Sequence, residues 1–199
     1  MIDKFQRLEE IISEFREIDA LGKKTTEKMI VSFIQNSNKL KKIKKILNDI
    51  ENDFDVCQIC FFFRILKECP FCDDKTRIRN QICVVPTISD ALNIEKSKTF
   101  HGLFHILGGE IALNKNIGPE KLNIDKLFDR INKNEEIIIA LNVTLDGEVT
   151  TNYIAAIAQN LNINITRLAT GIPVGGMIDY LDDVTLQNAI KNRKKIRSD

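Results

Sequence analysis

Charge of one sign is what this sequence most plainly lacks. Its 199 residues carry 29 Lys and Arg against 28 Asp and Glu. Net charge therefore says nothing about partners, and only the distribution of charge can. Long apolar runs are also missing. None approaches the roughly 20 residues needed to span a bilayer. The amino terminus, Met1-Ile2-Asp3-Lys4-Phe5, is charged within three residues and does not resemble a secretory leader. These absences leave the membrane out and place the protein in the cytosol, where thiols stay reduced. Neither a P-loop nor a dinucleotide fingerprint is present. His101 has no Cys or Ser nearby in sequence to make a nucleophilic dyad. Of the two tyrosines, Tyr153 belongs to a helical pattern and Tyr180 follows a glycine loop, so neither suits strand cleavage. Internal repeats and low-complexity linkers are absent as well.

What is present suits one large domain or two small ones. With 43% hydrophobic and 29% charged residues, a core of useful size can be buried. Charge is locally uneven. Eight lysines and a single acid, Glu27, lie between Gly22 and Lys45, and five more bases fall between Lys191 and Arg197. Such clusters suggest contact with phosphate.

Periodicity divides the chain. Phe5, Leu8, Ile12, Phe15 and Ile18 predict a helix over 3–18. Met29, Ile30, Phe33 and Ile34 predict another over 25–35, and Leu40, Ile43, Leu47 and Ile50 a third, ending near Asp53. From Ile82 onward short strands alternate with helices. The strands are Ile82–Val85, Leu103–Leu107, Ile137–Leu141 and Ile163–Leu168. The helices are Ser89–Ser97, Ile124–Asn132 and Glu148–Leu161. That alternation implies a mainly parallel sheet covered on both faces. Asp183–Lys191 closes the chain as a last helix.

Between these parts stand five cysteines, which in a reducing compartment point to metal or chemistry. Cys57, Cys60, Cys69 and Cys72 follow the spacing C-x2-C, eight residues, C-x2-C. Two intervening residues let a tight turn aim both thiolates at one ion, and two such knuckles complete a tetrahedron. Soft sulfur in that geometry selects zinc, with iron as the lesser alternative. Four protein ligands leave no position for water, so the site is structural. The competing reading is four reduced cysteines packed as small apolar residues. The segment is too short for a core of its own, so metal supplies its order. Cys83 lies within a strand and reads as core, as does His105.

Lys24 and Lys28 share a face at the start of the second helix, beside Lys23 and Gly22. A turn entering a helix amino terminus presents N–H groups to phosphate, and lysines strengthen this. The alternative is a solvated helix face. Asp146 and Glu148 follow the third strand, where parallel sheets bind ligands, and two such carboxylates could hold Mg2+. Equally, they are first-turn acids of a helix, as Asp90 is.

These pieces, in this order, resemble the RecR family of bacterial recombination mediators over almost the whole chain. The resemblance rests on Cys57-Gln-Ile-Cys60 with Cys69-Pro-Phe-Cys72, on Phe104-His-Ile-Leu-Gly-Gly109 and on Gly118-Pro-Glu120. It continues through Ala140-Leu-Asn142, Gly147-Glu148, Thr151-Asn-Tyr-Ile154, Ile165-Thr-Arg-Leu-Ala169 and Gly171-Ile-Pro-Val-Gly-Gly176. The family implies an α+β protein of several units: a helix-hairpin-helix domain (1–53), a four-cysteine zinc finger (54–77), a Toprim domain with a mainly parallel sheet (78–170) and a C-terminal assembly segment with its helix (171–199). It implies one structural zinc per chain, ring-like tetramers or dimers that enclose DNA, and a cytoplasmic bacterial setting. It also implies action with RecO, and often RecF, in loading RecA onto SSB-coated single-stranded DNA, without catalysis. The family's DNA-contacting Lys and Arg fall on Lys24 and Lys28. The alternative is a Mg2+-dependent Toprim nuclease or topoisomerase-like enzyme using Asp146 and Glu148. Four positions depart from the family pattern: Ala20 replaces a hairpin glycine, Pro86 the glutamate ending the first Toprim strand, Thr170 a histidine and Met177 an acid. Pro86 argues against the enzyme.

Overall fold

The computed structural model describes residues 4–18 and 21–195. Ala20, the start of the first helix at residue 3 and Arg197 of the tail lie outside the described residues. Two compact units divide at Asp55/Val56.

The first unit is helical: α1 (Lys4–Ile18), α2 (Lys23–Gln35) and α3 (Ser37–Asp53). Gly22 leads into α2, its carbonyl accepting from the amides of Thr25 and Thr26 at 3.0 and 3.1 Å. Asn36 separates α2 from α3 and caps the latter, its side chain accepting from the amides of Asn38 and Lys39. Ile12, Thr26 and Ile30 are buried. By contrast α3 buries nothing: Leu40, Leu47 and Ile50 are 38%, 54% and 51% exposed.

Two short strands, β1 (Phe54–Val56), at the division itself, and β2 (Phe63–Ile65), make a two-stranded sheet beside the cysteine segment. A four-stranded parallel sheet follows, built from β3 (Ile78–Val85), β4 (Gly102–Ile106), β5 (Glu136–Ile139) and β6 (Asn164–Arg167) in the order β4-β3-β5-β6. Helices α4 (Ile88–Lys96), α5 (Ile124–Arg130) and α6 (Leu145–Asn160) connect the strands, and α7 (Asp183–Lys191) ends the fold. The mixed α/β architecture with a parallel sheet agrees with the sequence reading. Strand β3 starts four residues before its apolar run, because Ile78–Asn80 are exposed where the register against β4 is irregular.

The pleat sends alternate residues to opposite faces. Ile82 and Val84 of β3 join Leu103, Ile137 and Ile139 in one core, covered by Leu127 of α5 and by Ile154 and Ala158 of α6. Cys83 and Val85 face the other way, with Phe104 and Ile106. Ala91 of α4 covers that second face, and so do Phe62, Phe71, Cys57, Cys60 and Cys69. The cysteine segment thus shares a core with the sheet. Sequence periodicity had marked it only as lacking one of its own.

Candidate metal centre and nucleic-acid interface

Two knuckles build the metal centre. In the first, the Cys57 amide donates to the Phe62 carbonyl at 2.7 Å and the Phe61 amide to the Cys57 carbonyl at 2.9 Å. Phe61 takes a left-handed conformation to close the turn, φ 61°. In the second, the Asp73 carboxylate accepts from the Cys69 amide at 2.6 Å, and the Cys72 amide donates to the Cys69 sulfur at 3.3 Å. The four sulfurs converge within 4.8 Å of one another. A tetrahedral ion with bonds of about 2.3 Å to sulfur needs them roughly 3.8 Å apart. Cys57, Cys60 and Cys69 are buried. Hydrogen bonds from Cys60 and Cys72 lower the Cys69 thiol to about 2, and the bond to Cys69 pushes Cys60 up. Without a cation the buried thiols oppose one another's ionisation, since Cys60 and Cys72 are both raised, and a bound cation would let all four ionise as ligands. Donor type and distance both fit, and the four cysteines are placed to bind a metal ion.

Cys83 is absent from the set. It is buried in the sheet, and burial pushes its thiol up to about 12. Two arginines just after the second knuckle fasten it. Arg79 donates to the carbonyls of Cys72 and Asp74 at 2.9 and 3.0 Å. Arg77 lies 4.5 Å over the Phe71 ring, pairs with Glu95 and donates to the Gly102 carbonyl. Sequence spacing gave no sign of either role, since both reach partners across the fold.

The acidic candidates part company. Asp146 and Glu148 both lie in the first turn of α6, which Thr144 caps. Glu148 grips the Arg167 guanidinium with both oxygens, at 2.5 and 2.9 Å. The hydrogen bonds from Arg167 hold its carboxyl below the usual range. Arg167 ends β6, 19 residues away, and this pairing is the functional feature that periodicity could not reveal. Among the described residues the four cysteines are the only group of three or more His, Cys, Asp and Glu side chains placed for a metal. Where β3 ends, a cavity of about 380 Å³ is lined by Pro86, Thr87, Ile88, Ser89, Ile106 and neighbours that include no acid. Asp90 is engaged in a capping box with Thr87. His105 is buried, with Nε2 2.8 Å from the Asn123 carbonyl, and burial lowers it to about 4.

Gly147 sits between the two acids for a steric reason. A Cβ there would run into the Asn142 carbonyl oxygen. The Glu110 carboxylate holds the same loop by accepting from the Asn142 amide at 2.8 Å.

The basic candidates occupy the first two turns of α2. Lys23 lies 4.0 Å from Glu27. Lys24 and Lys28 stand four residues apart, both exposed to solvent. Thr170 accepts from the Asn192 amide, and Met177 is 61% exposed.

A parallel sheet with helices on both faces and a four-cysteine knuckle pair packed against one of them defines a Toprim-type domain joined to a metal finger. Residues 80–169 match the family described as Toprim domain, and residues 171–194 the family described as RecR, C-terminal. The chain is 38% identical to the recombination protein RecR of Phytoplasma mali (strain AT) over 198 residues, 96% of each chain. It is 34% identical to that of Ehrlichia canis (strain Jake), covering 94% of this chain and 97% of the relative. The RecR of Staphylococcus aureus (strain MRSA252) is also 34% identical, covering 95% and 97%. The chain belongs to the RecR family of recombination proteins.

Proposed function

We propose that this protein is a DNA-binding recombination mediator without catalytic activity, which assembles into a ring or dimer around DNA. It acts in the bacterial cytoplasm with RecO, and with RecF where that protein is used, to load RecA on SSB-coated single strands. Zinc is the ion at Cys57, Cys60, Cys69 and Cys72, because four soft thiolates in a closed set favour it and leave no site for activated water.

The observation that carries the non-enzymatic reading is the fate of the Toprim acids. Glu148 is engaged by Arg167, and the cavity at the end of β3 is lined by Pro86 in place of a carboxylate. A two-acid Mg2+ site would have to break that ion pair. Assembly is supported by α3, whose Leu40, Leu47 and Ile50 are left uncovered in the single chain. No helix is long and apolar enough to cross a membrane among the described residues.

Lys23, Lys24 and Lys28 at the hairpin are the proposed phosphate contacts. The test is DNA affinity across salt for wild type and for Lys24→Ala/Lys28→Ala. Losing two contacts should lower affinity and make the slope of log K against log salt shallower by about 1.4–1.8 per chain. A protein that stays monomeric and ignores DNA at low salt would overturn the clamp reading. Mg2+-dependent cleavage that vanishes in Glu148→Ala would establish the enzyme in its place.

A further inference from the structure

The carboxyl end of the chain carries a second basic surface that the hairpin does not account for. Lys191, Arg193, Lys194 and Lys195 occupy the end of α7 and the residues after it, all exposed. No acid interrupts the sequence between Asp183 and Lys195. Lys191 and Lys194 line a polar cavity of about 480 Å³ together with Arg167, Thr170, Asn188 and Asn192. The Asn192 amide donates to both the carbonyl and the hydroxyl of Thr170, each at 3.2 Å, so the end of α7 is fastened to the loop leaving β6.

The cations there do not all have local work. Arg167 is neutralised by Glu148. Arg193 turns back, its guanidinium donating to the Ile190 carbonyl at 3.1 Å and satisfying a helix end. Lys191 complements the helix dipole. Lys194 and Lys195 exceed what one helix terminus needs, and the charge of all three lysines faces solvent. No aromatic residue lines the cavity, so it offers no platform for stacking bases. Its donors are ammonium and carboxamide groups, which suit phosphate oxygens.

We infer that Lys191, Lys194 and Lys195 form a second, sequence-independent contact for the phosphate backbone of a nucleic-acid strand, separate in the chain from the hairpin lysines. The inference rests on the DNA-binding reading above.

The test uses the full-length protein and a labelled oligothymidylate, with affinity measured between ~50 and ~200 mM salt. Lys191→Ala/Lys194→Ala/Lys195→Ala is compared with wild type, with Lys24→Ala/Lys28→Ala and with the all-arginine version of the same three positions. Three lost contacts to a single strand should make the salt slope shallower by about 2, so that affinity falls about 20-fold less across that range than it does in wild type. Arginine should restore the wild-type slope. Far-ultraviolet circular dichroism and metal content should not change, because the substituted side chains are exposed.

A triple variant with the wild-type slope, while the hairpin variant loses slope, overturns this site and leaves the DNA reading intact. Wild type that ignores the oligonucleotide at ~50 mM salt overturns both. A triple variant that dissociates, and regains the wild-type slope at concentrations where it reassembles, also overturns the site. The basic surface would then be a contact between subunits.

Discussion

Cys69→Ala should unfold more than the knuckle that carries it. Cys69 is 2% exposed and its sulfur lies 3.5 Å from that of Cys60. Its loss leaves three thiols around an ion that needs four, and the turn from Cys69 to Cys72 loses the sulfur that accepts the Cys72 amide. The damage spreads because Phe62 and Phe71, 1% and 2% exposed, are fixed by the two knuckles and cover the sheet face of Val85 and Phe104. Burying one such ring contributes about 1.5–3 kcal/mol, so releasing both costs about 3–6 kcal/mol. Domains hold only about 5–15 kcal/mol in total. The assay is denaturant unfolding of wild type, of chelator-treated wild type and of the variant, alongside metal content and oligomeric state. The expected result is one zinc per chain in wild type, none held in the variant, and a matching fall in midpoint in the two depleted samples. Assembly and DNA binding should fail with the fold. If the variant loses its ion yet keeps the midpoint and the oligomer, the ion is not architectural. The finger would then serve as a contact surface, which would show as lost activity in a folded protein.

Two further predictions concern the sheet and its helices. His105 is neutral in the fold and lowered to about 4, against roughly 6.5 in the unfolded chain. The unfolded state therefore binds the extra proton first, so stability falls as pH drops from about 6.5 to about 4, by about 3 kcal/mol in all. Urea midpoints across that window should show this loss in wild type and a flatter profile in His105→Gln; equal profiles refute it. Gly147→Ala should lower stability by about 1–3 kcal/mol, since the new methyl meets a backbone carbonyl. Gly171→Ala, where nothing lies within 4 Å, should stay within about 0.5 kcal/mol. Similar denaturant midpoints for the two variants would show that the close approach at Gly147 does not matter.

Much of the architecture was readable because the spacing of apolar residues reports which faces are buried. Ile82 to Val85, Leu103 to Leu107 and the isoleucines from 137 are strands whose two faces are both covered, and each reads as a short continuous apolar run. Ile154 and Ala158 repeat at helical spacing for the same reason. The four cysteines were legible because ligand geometry constrains spacing. Other features depend on long-range contacts and leave no local trace. Arg167 binds Glu148 across 19 residues and Arg77 binds Glu95 across 18. Asp146 and Glu148 stood as either helix-capping acids or a residual metal site until Arg167 was placed beside one of them. Leu40, Leu47 and Ile50 have the pattern of a packed helix face, yet they are uncovered in the single chain. Periodicity says that a face is apolar and is silent on what covers it.

Strand β3 serves both cores, with Cys83 and Val85 on the finger side and Ile82 and Val84 on the other. This has a consequence for the order in which the protein can be made. A chain grows from its amino terminus, so Cys57 to Cys72 leave the ribosome before Val85 and Phe104 exist to receive Phe62 and Phe71. An ion captured at that stage would hold two turns and leave two phenyl rings in water. Metal loading and sheet closure can each begin alone, but neither completes the fold without the other, and a transplanted finger would arrive without the wall it was shaped to lean on.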